Sequence, residues 1–429
     1  MILFNYVSDF VVRIVVMRMK YCIFYLFILL LFVGCKSDKV KPLKMFADIA
    51  SEQIERNVQN MKVVNSSATT IIVEDCALKK ELRLSSWVDS ISYLRLDSQD
   101  AALIGAVNKF VRKNEAVYLL DRYKTKSVKK FSTNGAFITN IGKYGEGPGE
   151  YSEPTDFIVT DSLIIIYDQF ASRFNYYKLD GRYIRSQKLP FLCLRFYWFS
   201  ENNFFFCTLD ADNQHLSSIE DYSLFQTDST FTIKERGFYR KRGKYSSIIS
   251  DYNFAELGGR LYYHPPYSGK IYEVAYDGKC NLKINLDFGK RQLPEGLLLE
   301  ENWNEFKDKS AEDRYFFFLG EYLFVNDIVY FAYTQQYKLY RCFYSLKDKK
   351  SVRSSAVRND IIPIFPFSNL VGVDEDCIVG YVYPNDIVTA REHYSTEKWL
   401  ELVGEKSAGI AKQLKDEDNP ILIWFHMKK

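Results

Sequence analysis

The chain has 429 residues, 47% of them hydrophobic, with 57 Lys+Arg against 54 Asp+Glu and a formal net charge of +3. So high an apolar fraction with so little net charge excludes a disordered chain. Without excess basic charge there is no footing for a nucleic-acid partner.

The N-terminus has the order of a secretory signal. Arg18 and Lys20 supply positive charge, and Tyr21 to Val33 form a nearly unbroken apolar run of 13 residues. That length suits an h-region of about 7–15 residues and falls short of the about 20 that a membrane span needs. Gly34 then precedes Cys35, an arrangement that resembles a bacterial lipobox in which the Cys is lipidated. Residues 1–34 are therefore expected to be an upstream extension plus a lipoprotein signal peptide. Residues 35–69 read as a tether, with Phe46, Ala50, Ile54, Val58 and Met61 at the spacing of a short helix.

The body repeats. Tyr118-Leu119-Leu120-Asp121 returns as Ile165-Ile166-Tyr167-Asp168, 47 residues later. Phe131, Gly135, Phe137 and Ile138 return as Tyr177, Gly181, Tyr183 and Ile184, each offset by 46. Asn134-Gly135 and Asp180-Gly181 are hairpin signals, because both central residues of a type I′ turn need φ > 0. A third copy ends at Asp277-Gly278, 97 residues after Gly181, so one degenerate unit lies between. A period near 47–49 residues over Leu94 to Ala390 gives six units, the size of a four-stranded propeller blade of roughly 40–50 residues. The expected fold is all-β, a six-bladed β-propeller of antiparallel blades over residues 70–429.

Towards the C-terminus, Trp399, Val403, Ile410 and Leu414 place a helix at about Thr396 to Lys415, followed by a strand at about Ile421 to Phe425. A further helical insertion is expected around Leu297 to Phe306. An open ring would leave edge strands exposed, so N-terminal and C-terminal strands should share a blade. Thr70 to Val73 is the expected partner of Ile421 to Phe425.

Several segments together resemble a known family. They are Trp87-Val88-Asp89-Ser90-Ile91, Leu94-Arg95-Leu96, Leu103-Ile104-Gly105, the stretch Ile141 to Tyr151, and Asp418-Asn419-Pro420-Ile421-Leu422. They are similar to the six-bladed β-propeller lipoproteins of Bacteroides-like bacteria, relatives of the NHL-repeat propellers. The resemblance implies a fold and an envelope location more than an activity.

Candidate chemistry is sparse. The loop Gly145-Glu146-Gly147-Pro148-Gly149 lacks the Lys-Ser/Thr of a P-loop and precedes a strand, so it reads as an inter-blade crossover. Its functional version has Glu146, Glu150 and Tyr151 lining a rim where a ligand docks. Asp121 and Asp168 end equivalent strands and read as turn caps, with Asp168 kept as a rim candidate. His264, before Pro265-Pro266, and Tyr267 complete the candidate binding set. The four His form no metal-ligand pairs and no Cys-x-x-Cys exists, so no metal and no cofactor are expected. The six Cys beyond Cys35 read as buried thiols. Asp374-Glu375-Asp376 reads as a solvated turn, as does the basic run Lys234 to Lys244. No Gly-x-Ser-x-Gly elbow or triad is present. The expected role is binding a glycan, peptide or envelope protein. The alternative is a propeller hydrolase or lyase with its site at the central channel.

Overall fold

Each repeat folds as a four-stranded antiparallel blade, and six blades close a ring, a six-bladed β-propeller. The computed structural model describes residues 45–429 apart from 67, 209–210, 240–253, 267, 337 and most of 295–314. The signal, Cys35, Tyr267, the basic residues at 240–244 and the expected helix near 297–306 thus lie outside the described residues, wholly or in most of their length.

Blade I is Lys109–Lys113, Ala116–Asp121, Ser127–Ser132 and Phe137–Ile141, and blade II is Pro154–Val159, Leu163–Asp168, Arg173–Lys178 and Tyr183–Lys188. Blade III, the degenerate unit, is Arg195–Ser200, Asn203–Cys207, Tyr222–Thr227 and Ile233–Tyr239. Blade IV is Phe254–Leu257, Arg260–Tyr263, Lys270–Val274 and Cys280–Asp287. Blade V is Phe317–Val325, Ile328–Gln335, Lys338–Ser345 and Ser351–Ser354. The first strand of each blade lies innermost, and these strands meet their neighbours around the axis.

Blade VI closes the ring with Leu370–Asp374, Cys377–Val382 and Ile421–Met427, and takes Val88–Leu94 as its outer strand. The closure is of the expected kind, but the N-terminal partner is not Thr70–Val73. Leu422 pairs antiparallel with Leu94, whereas Thr69–Ile72 runs parallel to the outer strand of blade IV, with Ile71 opposite Leu286.

That displacement belongs to a larger feature. After the single-turn helix Ser51–Ile54, the chain passes along the outside of successive blades as a belt. Gln59–Asn60 pairs with blade III, Val63–Val64 and Thr69–Ile72 with blade IV, and Ala77–Leu78 with blade V. Each pairing is parallel and covers an outer edge that would otherwise offer unpaired N–H and C=O groups. Met61, Ile71, Val73, Cys76, Leu82 and Leu84 are buried as the belt passes. Of the residues at helical spacing, Ile54 lies in the single-turn helix, while Met61 is a buried anchor of the belt.

The core sits between blades. Ile141, Tyr151, Phe157 and Tyr177 fill the gap between blades I and II, and Phe174, Phe196, Phe206 and Phe225 the gap between II and III. The repeated aromatics are cross-strand pairs within each outer hairpin. Phe131 faces Phe137 with ring centroids 5.7 Å apart, and Tyr177 faces Tyr183 at 5.9 Å. The turn glycine has a second duty besides φ. At Gly135, φ is 91°, and a Cβ there would lie 2.1 Å from the Arg95 carbonyl oxygen of the neighbouring blade.

Two helices, Pro384–Glu392 and Thr396–Lys412, are inserted between the second and third strands of blade VI. Pro384 opens the first, suited to a helix start by its fixed φ. Ser395 caps the second, its hydroxyl accepting from the Lys398 N–H, and Trp399, Val403 and Ala411 are buried along one side. No helix among the described residues is long and apolar enough to cross a membrane.

Candidate functional site

In an antiparallel blade, successive connections alternate between the two ends of the ring. At one end every hairpin within a blade is two to five residues long. At the other end lie the crossover 142–153, the excursions 208–221 and 355–369, and the helical insertion 383–420. Of the binding residues expected from sequence, Glu146, Glu150, Tyr151, Asp168 and His264 fall in or at connections of this loop-rich end, where the rigid ring holds up its longest irregular backbone.

Hydrogen bonds lock the short turns of this end to the crossovers. Asp121 is buried and its carboxylate accepts from the backbone N–H of Gly105 at 2.8 Å, Lys124 at 2.9 Å and Thr125 at 3.0 Å. Burial opposes its ionisation, but the N–H donors of Lys124, Thr125 and Gly105 outweigh burial and hold the carboxyl below its usual pKa. Asp168 repeats the device, accepting from the N–H of Ser152 and Glu153 and pairing with Arg173 at 3.3 Å. Both aspartates are turn caps, and Asp168 is enclosed, so it does not line a rim.

The glycine-rich crossover folds back on itself, with Lys143–Tyr144 running parallel to Glu150–Tyr151. Glu150 accepts from the Gly147 N–H at 2.9 Å and pairs with Lys143 at 3.0 Å. The Gly147 N–H first, and then Lys143, lower its pKa. Glu146 is exposed. Tyr151 departs from expectation: it is fully buried, its hydroxyl donating to the Ile141 carbonyl at 2.8 Å and accepting from the Val128 N–H. It ties the crossover to blade I and is out of a ligand's reach.

His264 is also buried. One ring nitrogen, Nε2, bonds the Ser268 carbonyl at 2.6 Å, while Phe318 packs edge-on at 4.7 Å between ring centroids. Burial pushes the imidazole down to about 4, against a partial rise from the Ser268 bond. An unfolded His titrates near 6.5, so below that pH the unfolded chain binds the extra proton and stability falls until pH reaches about 4. Between pH 7 and 5 this amounts to about 2 kcal/mol. Urea titrations at both pH values should show that loss in the wild type and a smaller one in His264→Asn. Equal pH slopes would refute the assignment.

Exposed rings gather at this end. Tyr123 in the blade I turn is 65% exposed, Tyr144 in the crossover 62%, and Phe170 in the blade II turn 63%. The Lys126 ammonium lies 5.4 Å from the Tyr144 ring centroid, joining turn to crossover. Sequence reasoning missed these three. Tyr123 and Phe170 each sit two residues beyond the repeated strand-end Asp, and that position is the available signal.

On the inner strands, Asp156 of blade II lies 2.6 Å from Lys109 of blade I and 3.5 Å from Arg195 of blade III. A charge-compensated carboxylate of this kind ties three blades together. Among the described residues, the one set of three His, Cys, Asp or Glu ligand atoms lying within 4.8 Å of one another is Asp376, Cys377 and His426. It sits at the hairpin end of blade VI, beside a cavity of about 220 Å³ whose lining includes Ser92, Arg112 and Trp424. The Cys377 thiol is pushed up to about 12 by burial and by Asp376, the opposite of an activated nucleophile. The six described cysteines are buried and none is in a disulfide.

A family model for a domain of unknown function, DUF4934, matches residues 68–426. A Bacteroides fragilis protein described as exported is similar in structure, with a TM-score of 0.65, 19% identity, and coverage of 82% of this chain and all of that one. A DUF4221 family member from Bacteroides vulgatus aligns at a TM-score of 0.44 and 11% identity, covering 80% of this chain and 97% of that one. Virginiamycin B lyase from Staphylococcus aureus aligns at a TM-score of 0.35 and 11% identity, covering 68% and 80%. At these identities the first likeness speaks to the fold alone, and the other two carry no weight. No curated protein matches the chain.

Proposed function

The chain belongs to the DUF4934 family, and from that premise we propose that it is an exported, lipid-anchored binding module of the bacterial envelope. Its ligand is a glycan, a peptide or an envelope protein, docked on the loop-rich end of the ring. The observation that carries this reading is the set of exposed rings, Tyr123, Tyr144 and Phe170, held on crosslinked turns of blades I and II. Large apolar rings left in water on a rigid support favour docking, since covering them releases water at little conformational cost. The neighbouring Glu146 and Lys126 add polar contacts that select orientation. Export and anchoring rest on the run Arg18 to Cys35, and NHL-type kinship rests on the resemblance carried by segments such as Trp87 to Ile91 and Ile141 to Tyr151.

Glycan and peptide arrays test the reading. The purified protein should bind a restricted set of spots, and the combined Tyr123→Ala, Tyr144→Ala and Phe170→Ala variant should lose at least about tenfold in affinity with unchanged melting. No binding above background, or binding that the variant retains, overturns it.

A further inference from the structure

We infer that Asp376, Cys377 and His426 form a zinc-binding site in the closing blade. Cys377 opens the second strand of blade VI and His426 is the penultimate residue of the third, and the two are direct cross-strand partners. Cys377 Sγ lies 3.2 Å from His426 Nδ1 and 3.4 Å from Asp376 Oδ1. Zinc bonds of about 2.3 Å to sulfur and about 2.0–2.2 Å to nitrogen or oxygen imply ligand atoms about 3.6 Å apart in a tetrahedral site. The Asp376 and His426 ligand atoms also lie within 4.8 Å of each other, so side-chain adjustments of about an ångström or less bring all three around a zinc-sized position.

The surroundings fit. Ser92 Oγ lies 2.8 Å from His426 Nε2. In the metal-binding tautomer Nε2–H donates to this hydroxyl and the Nδ1 lone pair is left for the metal, the outer-shell device that orients ligating imidazoles. Asp374 is already engaged by Trp424 Nε1 at 2.7 Å and Arg112 at 3.0 Å, so it supplies negative potential without competing as a ligand. The adjoining cavity provides the entry path and room for a water as fourth ligand. Thiolate, imidazole and carboxylate together suit zinc better than the hard cations calcium and magnesium. On binding, the zinc ion replaces the Cys377 thiol proton, which leaves to solvent. The bound ion would join both C-terminal strands and, through Ser92, the N-terminal strand that closes the ring.

The test loads the purified protein with zinc or cobalt(II), removes free metal and measures content and absorption. The wild type should retain about one metal per chain, and the cobalt form should show a thiolate-to-metal charge-transfer band. Cys377→Ser and Asp376→Asn should each weaken binding at least about 100-fold and abolish stoichiometric retention, and Ser92→Ala should weaken it about 10–100-fold. Asp376 lies in a two-residue turn, so its variant should melt like the metal-free wild type and serves as the folded control. Wild-type metal content no higher than that of Asp376→Asn, or a cobalt spectrum without the thiolate band, overturns the site.

Discussion

Asp156→Ala is expected to lower folding stability by about 3–5 kcal/mol, the cost of removing one member of a buried ion pair. The buried cation of the pair is Arg195, whose side chain is 4% exposed. Its Nη1 would keep the Thr155 carbonyl at 3.1 Å but lose the Asp156 carboxylate at 3.5 Å. Lys109 would lose its contact as well, and the Phe196 N–H would lose the acceptor that Asp156 Oδ2 provides at 3.1 Å. These partners sit on the inner strands of blades I and III, so the substitution loosens the ring at its narrowest part. Denaturant unfolding of the purified variant measures the loss. Asp180→Ala is the matched control: its pair with Arg182 is exposed on both sides, and such pairs contribute about 0–1 kcal/mol. A loss no larger than the control's would show that Asp156 does not hold the blades together.

Phe174→Ala should cost a similar amount, about 3–5 kcal/mol, through a cavity rather than a charge. Phe174 is fully buried, and its ring centroid lies 4.4 Å from Phe196, 5.7 Å from Phe231, 5.9 Å from Phe204 and 6.0 Å from both Phe206 and Tyr167. Phe204, Phe206 and Tyr167 belong to strands paired on both sides, so the site cannot fully collapse around the missing ring. Phe174→Leu should recover part of the loss because it refills part of the volume. Thermal melting of both variants orders the effects, and equal melting of wild type and Phe174→Ala would refute the packing argument.

The two variants probe what the repeat left unsaid. Blade III has no Asp-Gly turn; its outer hairpin turns through Asp228 to Thr232, with Phe231 at a φ of 63°. The aromatic cluster there does what turn chemistry does in blades I and II, holding the strands in register by packing. Lost turn glycines therefore hid the blade from sequence reading without weakening it.

The functional residues were less legible. Tyr151 was expected at a rim because it lies outside the repeat and beside glycines. It is instead the hydrogen-bonded plug between blades I and II, which no local pattern distinguishes from an exposed ring. His264 and Asp168 follow the same course, enclosed by partners from other strands. The Asp376–Cys377–His426 cluster had no sequence signal at all. Cys377 and His426 are 49 residues apart, separated by the helical insertion, and only strand pairing makes them opposite each other.

What the sequence determined by itself was local and periodic: the strand–turn unit, the turn glycines, the number of blades and the capped helix before the last strand. These follow from backbone sterics and from apolar spacing, which act within a few residues. What the tertiary structure alone decided was pairing between distant strands. Val88–Leu94 and Thr69–Ile72 are both short and partly β-branched, and either can add to an open edge. The ring gives the antiparallel place in blade VI to the first and the parallel place on blade IV to the second. A strand's own residues dictate that it will pair, while its partner is chosen by which edges the closed ring leaves open.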